Sequence, residues 1–272
     1  MYQLRLIQSL DLPELAPYRT LKRSATHAAQ GIFVVEGDKV LDRLLESQFT
    51  VVSVLLVEER LVEYEPRLRA RLESDIQLFI CSKQVLEKMV GFEIYQGVLA
   101  IAKMPPPPRL EEILSTAVPP RLLVAMDGLS NAENVGLLMR NCAAFGVNAL
   151  IAGETCCSPY LRRTVRNSMG TIFKLPVLES SNLTAALQQL QTHGIRCVAA
   201  HPHADKKVLS QTDFRQDCCI VVGSEGQGIS PNVLAACNEA AAIPMANGVD
   251  SLNVSLATAV FLYEARRQRG IR

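Results

Sequence analysis

The most constraining feature of the chain is a succession of short, wholly apolar runs at residues 122–126, 149–152, 197–200, 218–222 and 240–244. A strand with one wet face alternates apolar and polar side chains. An unbroken apolar run of this length predicts a strand buried on both faces. Between the runs, residues 134–145, 183–192 and 252–267 carry apolar side chains at helical spacing. Short buried strands alternating with helices predict an α/β domain with a largely parallel sheet, whose ligands gather beyond the carboxyl ends of the strands.

A second constraint is the run Pro105-Pro106-Pro107-Pro108. Consecutive prolines continue neither a helix nor a sheet ladder, so they predict a stiff, extended connector. The expected division is a domain at 1–104, a proline-rich linker at 105–119 and a second domain at 120–272. In the first domain, strands are expected at 31–36, 49–57, 76–80 and 97–101, with helices at 39–46 and 83–89. That pattern describes a small α/β sandwich.

Composition narrows the class further. Aromatic residues make up only 5% of the chain, which argues for packed helix and sheet layers over an aromatic-rich binding module. The formal charge of +1 withholds the usual hint of a nucleic-acid partner, so local charge carries that question. No acid occurs between Glu154 and Glu179, where Arg162, Arg163, Arg166 and Lys174 do, and Arg19, Lys22 and Arg23 form a smaller cluster. Of the eight cysteines, two pairs are adjacent in sequence and none shows C-x-x-C spacing, which favours reduced thiols in a cytoplasmic protein. His201-Pro202-His203 reads as a polar turn, and no set of residues suggests a metal site. Neither a secretory leader nor a membrane span is expected.

Three polar loops follow expected strands. The first, 127–136, opens a helix bearing Asn134 and Arg140. The second is Gly223-Ser224-Glu225-Gly226-Gln227-Gly228, whose glycines permit tight turns and leave peptide groups exposed. It is neither the dinucleotide fingerprint nor a Walker loop. The third, 243–255, contains the turn signal Asn247-Gly248, then Asp250 or Ser251 as a helix cap, and Asn253, a polar amide that needs a partner early in an apolar helix. Each loop alone fits a plain cap or connection. Together, at the ends of different strands, they favour one composite pocket.

In this order the loops resemble the three motifs of the SpoU (TrmH-like) branch of the SPOUT RNA methyltransferases: Asn134-x-Gly136-x-x-x-Arg140, Gly223-Ser224-Glu225-Gly226-x-Gly228 and Ser251-Leu252-Asn253-Val254-Ser255. The resemblance implies a C-terminal domain with a deep trefoil knot and a parallel sheet, usually dimeric. It implies methyl transfer from S-adenosylmethionine to a ribose 2′-hydroxyl of structured RNA, ribosomal RNA being preferred and transfer RNA the other option. Cofactor contacts are expected from Ala200, Gly223, Ser224, Glu225, Gly228, Ile243, Met245, Leu252 and Asn253. Catalytic work is expected from Arg140, Asn134, Glu225, Ser251 and Asn253, with Asn134 orienting Arg140 or the ribose and Glu225 pairing with Arg140 or bracing its loop.

The N-terminal part resembles the family's RNA-binding extension, a domain like ribosomal protein L30 (L30e-like). The resemblance rests on Arg23, Phe33-Val34-Val35-Glu36-Gly37 and Tyr95-Gln96-Gly97, with Tyr95 where many relatives carry histidine. RNA backbone contact is expected from Arg19, Lys22, Arg23, Arg162, Arg163 and Arg166. Two other readings stand beside this one: a non-catalytic RNA-binding scaffold that has kept the fold, and a nucleotide-cofactor oxidoreductase. The second lacks its glycine fingerprint.

Overall fold

A computed structural model describes residues 3–7, 11–71, 73, 75–91, 93, 96–202 and 207–270. Tyr95 and His203, singled out above, lie outside these. The chain divides into two units, one of Met1–Pro106 with Tyr160–Phe173, the other of Pro107–Pro159 with Lys174–Arg272.

In the first unit, strands β1 (Gln3–Leu6), β2 (Ile32–Glu36), β3 (Val51–Val57), β4 (Gln77–Cys81) and β5 (Val98–Lys103) form one sheet in the order β1-β4-β3-β5-β2. The first three in that order run parallel, and β5 is antiparallel to both its neighbours. Val34, Leu55, Phe79 and Leu99 on one face pack with Leu15, Tyr18, Leu86 and Met89. The helix Lys83–Val90 starts where Ser82 Oγ accepts from Val85 N and stops at Gly91 in the left-handed region. The strand β1 was not expected from the sequence. All four of its residues are exposed, so its edge pairing with β4 leaves no burial pattern to read.

The short helix Arg162–Asn167 belongs to this unit, although its flanks in sequence belong to the other. Tyr160 packs its ring 5.3 Å from Phe33, and Phe173 lies 5.2 Å from Phe49. Aromatic pairs of this kind contribute about 0.5–1.5 kcal/mol each beyond the area they bury.

The second unit is a six-stranded sheet of β6 (Leu122–Asp127), β7 (Ala149–Ala152), β8 (Val177–Glu179), β9 (Arg196–Ala200), β10 (Cys218–Gly223) and β11 (Glu239–Ala241). Its order is β11-β9-β10-β6-β7-β8, and every neighbouring pair is parallel, as the apolar runs predict. One face, including Leu123, Ala125, Cys219 and Val221, packs against the helix Leu183–Thr192. The final helix, Val254–Gln268, covers β9 and β10 and lies against the helix Ala132–Ala144. Within the expected linker 105–119, Leu110–Thr116 is helical and puts Leu110, Ile113 and Leu114 into the same core. The last strand ends at Ala241, short of the expected 244. Pro244 has no N–H to extend a ladder. Among the described residues no helix is long and apolar enough to cross a membrane.

The chain runs outward from β6 through β7 to β8, then returns to build β9 and β10 on the other side. The direction therefore reverses at the β6–β10 pair, where Asp127 and Gly223 sit side by side at the carboxyl ends. Open α/β sheets form their ligand crevices at such a reversal.

Candidate active site

The glycine loop after β10 is closed on itself. Ser224 N donates to Gly228 O at 3.0 Å, Gly228 N returns the bond to Ser224 O at 2.9 Å, and Ser224 Oγ accepts from Gln227 N. A Cβ on Gly223 would lie 2.1 Å from the carbonyl carbon of Gly228, so only glycine lets the loop fold back over its own strand. Asp127 at the end of β6 anchors the far side by accepting from Ser230 N at 2.7 Å. Four hydrogen bonds and one absent side chain thus fix a short rim of peptide groups.

The third loop turns at Asn247-Gly248, where both residues have positive φ and Val249 N donates to Ala246 O. This is the turn that the dipeptide predicts. The cap of the final helix is Asn253, not Asp250 or Ser251. Its Oδ1 accepts from Ser255 N at 3.0 Å and from Ser255 Oγ at 2.6 Å. With that oxygen committed, Nδ2 is left to donate, and it donates to Asn134 Oδ1 at 3.0 Å and to Glu225 Oε1. One amide therefore ties together the three loops that the sequence singles out. Asn134 is buried, so its carbonyl oxygen needs this partner.

Beside this junction lies a cavity of about 310 Å³ at the carboxyl ends of β9, β10 and β11. Of the expected cofactor contacts, Ala200, Gly223, Ser224, Glu225, Gly228, Ile243, Met245 and Leu252 line it, as does Ser251, while Asn253 does not. The lining also includes His201, Asp250, Val254, Ala257 and Phe261, which the sequence reading missed. The signals were available. His201 directly follows Ala200 at a strand end, and residues 254, 257 and 261 share one face of the last helix.

Arg140 sits in the same helix as Asn134, which Asn131 caps, and its side chain is exposed. It makes no hydrogen bond or ion pair with a described residue. The expected pairing of Glu225 with Arg140 is replaced by the bond from Asn253, and the Asn134 carbonyl is likewise turned to Asn253. Both polar groups found a nearer partner, which leaves the guanidinium open to solvent.

The basic residues divide differently. Arg162 and Arg166 both pair with Glu36 at the end of β2, Arg166 at 3.0 Å. The Arg162 and Glu36 side chains are 18% and 11% exposed, so most of that charge is spent internally, whereas Arg166 keeps 62% exposure. Arg163, Lys22 and Arg23 are exposed, and Arg19 lies 3.8 Å from Asp11.

A parallel sheet with a peptide-lined cavity beyond the carboxyl ends of its strands, and a polar junction at the rim, has the form of an α/β ligand-binding domain. Comparison with known proteins gives the family. Residues 121–263 match the SpoU rRNA Methylase family, and residues 34–108 match the RNA 2′-O ribose methyltransferase substrate-binding family. The chain belongs to the SpoU family of RNA methyltransferases. It is 30% identical to an uncharacterized tRNA/rRNA methyltransferase of Mycobacterium bovis, over 94% of this chain and 90% of that one. A solved RNA 2′-O ribose methyltransferase is similar over the full length of both chains, with 29% identity and a TM-score of 0.80. The fold is also that of the SpoU methyltransferase AviRb from Streptomyces viridochromogenes, solved with the cofactor AdoMet. There the TM-score is 0.82 and the identity 24%, over 94% of this chain and 98% of that one.

Proposed function

We propose that the cavity beyond β9–β11 holds S-adenosylmethionine and that the protein methylates a ribose 2′-hydroxyl in structured RNA, ribosomal RNA being preferred on the wording of the matched family. The observation that carries this reading is the single Asn253 amide joining the three motif loops at the cavity's edge. The lining suits the cofactor. Ile243, Leu252 and Phe261 offer apolar walls for an adenine, the 223–228 loop offers peptide groups, and Glu225 and Asp250 offer negative charge to a sulfonium. When bound, S-adenosylmethionine supplies an electrophilic methyl group on sulfur.

The protein's own residues position the acceptor. Arg140, with an unengaged guanidinium, binds the target ribose or its phosphate and polarises the hydroxyl, since an arginine side chain stays protonated. Asn253 holds Glu225 and Asn134 in place, so that loop and helix keep one spacing. Fixing the oxygen behind the methyl group removes much of the entropic barrier. Lys22, Arg23, Arg163 and the exposed part of Arg166 meet the RNA backbone.

The knotted threading that the family resemblance implies belongs to this reading, supported by the joint lining of one cavity by 223–228 and 243–252. So does a homodimer. Leu256, Val260 and Tyr263 are exposed at i, i+4 and i+7 on the final helix, and Leu137 is exposed on the neighbouring helix, an apolar face suited to a second copy. Eight free thiols, five of them buried, suit a reducing cytoplasm. The test is methyl transfer in vitro from labelled S-adenosylmethionine to ribosomal RNA, with the modified positions mapped by resistance to alkaline cleavage. Protected 2′-O-methyl positions are expected. Label found only on bases, or none on any RNA tried, contradicts the proposal.

A further inference from the structure

The first unit contains a second cavity, of about 390 Å³, which none of the catalytic residues touches. It opens where β2 ends and β5 begins, and it is lined by Glu36, Gly37, Asp38, Gln96, Arg166 and Met169 among others. Its size falls in the range of small-ligand sites, about 300–1,000 Å³. Its wall is polar and held in place. Gln96 Oε1 accepts from Asp38 N at 3.0 Å, which fixes the amide and leaves Nε2 as a donor with no acceptor among the described residues. Gly37, at φ 99°, makes room for this arrangement, because a Cβ there would lie 2.7 Å from Gln96 Oε1. Asp38 Oδ1 accepts from Lys39 N, and its second oxygen has no partner among the described residues. At the rim, Arg166 uses Nη1 on Glu36 and keeps its other guanidinium donors exposed, while Arg43 holds the carbonyl of Met169.

The lining therefore offers an amide donor on Gln96 and a carboxylate acceptor on Asp38, with the Arg166 guanidinium in the same wall. That is the complement of the edge of an unpaired nucleobase with a phosphate or stacking contact on arginine. Proteins read single-stranded RNA in this way. We propose that this cavity receives one unpaired nucleotide of the substrate RNA, its base edge on Gln96 and Asp38 and its phosphate or ring face on Arg166. The proposal deepens the reading of the chain as an RNA methyltransferase and adds to it a base-reading subsite apart from the methyl-transfer cavity.

The experiment is a titration of the full chain, followed by amide and side-chain nitrogen NMR, with S-adenosylhomocysteine present to fill the other cavity. The probes are the four nucleoside 5′-monophosphates, ribose 5-phosphate and inorganic phosphate, each to about 10 mM, where weak fragments bind. At least one nucleotide is expected to shift Gly37, Asp38 and the Gln96 side chain more strongly than ribose 5-phosphate does. The substitutions Gln96→Glu and Asp38→Asn each keep the existing backbone bond and reverse one hydrogen-bonding direction, and each is expected to weaken that nucleotide at least fivefold. Two substitutions are used so that one misfolded variant does not remove the test.

The proposal is overturned if no nucleotide shifts these residues. It is equally overturned if ribose 5-phosphate or phosphate alone does so as strongly, or if both variants bind as the wild type does. Failure of S-adenosylhomocysteine to bind would count against the methyltransferase reading instead, because the shifts here are read residue by residue in the first unit.

Discussion

The two sheets make their cavities by different routes. In the second unit every strand runs the same way, so the strand-end loops share one edge, and a cavity opens there beyond β9, β10 and β11. In the first unit β2 and β5 are antiparallel, so the end of one meets the start of the other, and a cavity forms at that junction from Glu36–Gly37 and Gln96–Val98. The first arrangement follows from a topological rule and is legible from the apolar runs. The second depends on a single glycine and a single glutamine side chain, which no periodicity announces.

The sharpest test of the contrast lies in the catalytic loops. Arg140→Ala is expected to lower methyl-transfer turnover roughly 100-fold or more, the usual cost of losing one group aimed at a transition state, while S-adenosylhomocysteine affinity stays within about twofold. Unchanged turnover would remove Arg140 from the chemistry and leave the second unit a binding scaffold.

Next in size is Asn253→Ala. It removes the cap of the final helix and strips the buried Asn134 carbonyl of its donor. The expected loss of stability is about 1–3 kcal/mol in urea unfolding. A loss confined to cofactor binding, with stability intact, would mean that the junction is not structural.

A smaller effect is expected in the first unit from Glu36→Gln, which removes the carboxylate that pairs with both Arg162 and Arg166. Because these side chains are partly exposed, about 1 kcal/mol is the expected scale. Faster amide hydrogen exchange across 162–170 is its signature. Unaltered exchange there would show that other contacts, among them those of Tyr160, Phe173 and Arg43, hold the segment.

The smallest expected effect is pH dependence. Burial holds the His27 imidazole below its usual pKa, with a hydrogen bond to the Pro17 backbone partly opposing. The folded state thus disfavours the proton that the unfolded chain accepts near 6.5. Its contribution is complete above that value and declines as the pH falls through it. Glu73 behaves similarly at lower pH. Burial raises its pKa, but the bonds from Arg71 and from Val51 N outweigh that and lower it below 4.5. Its stabilisation is present above 4.5 and lost as the pH falls further. The first unit should therefore soften on mild acidification, with His27→Gln flattening the upper part of the profile. Equal softening in the variant would assign the effect elsewhere.

Much of this molecule was readable in advance where burial wrote a pattern. The strands from β6 to β10, apart from β8, lie within a residue or two of the apolar runs, because a strand covered on both faces must be continuously apolar. Two edge strands escaped, while the edges β2 and β11 were expected. β1 buries nothing, and β8 is only three residues long. The cavity-lining loops were legible as a set of motifs, yet the partners were not. Sequence spacing places Asn134 and Arg140 on one helix, but only the fold brings Asn253 close enough to take Asn134 and Glu225 away from the arginine. The arginines at 162 and 166 look like a free basic patch until Glu36, more than 120 residues earlier, is seen to pair with both.

The central claim is that the glycine loop, the 243–252 stretch and the end of β9 enclose one cofactor cavity. Calorimetric titration of S-adenosylhomocysteine into the wild type and into Gly223→Ala addresses it directly. One site per chain is expected in the wild type, with affinity falling at least tenfold in the variant, because the new methyl would meet the Gly228 backbone at 2.1 Å. No binding heat in the wild type, or equal affinity in a folded variant, would contradict the account.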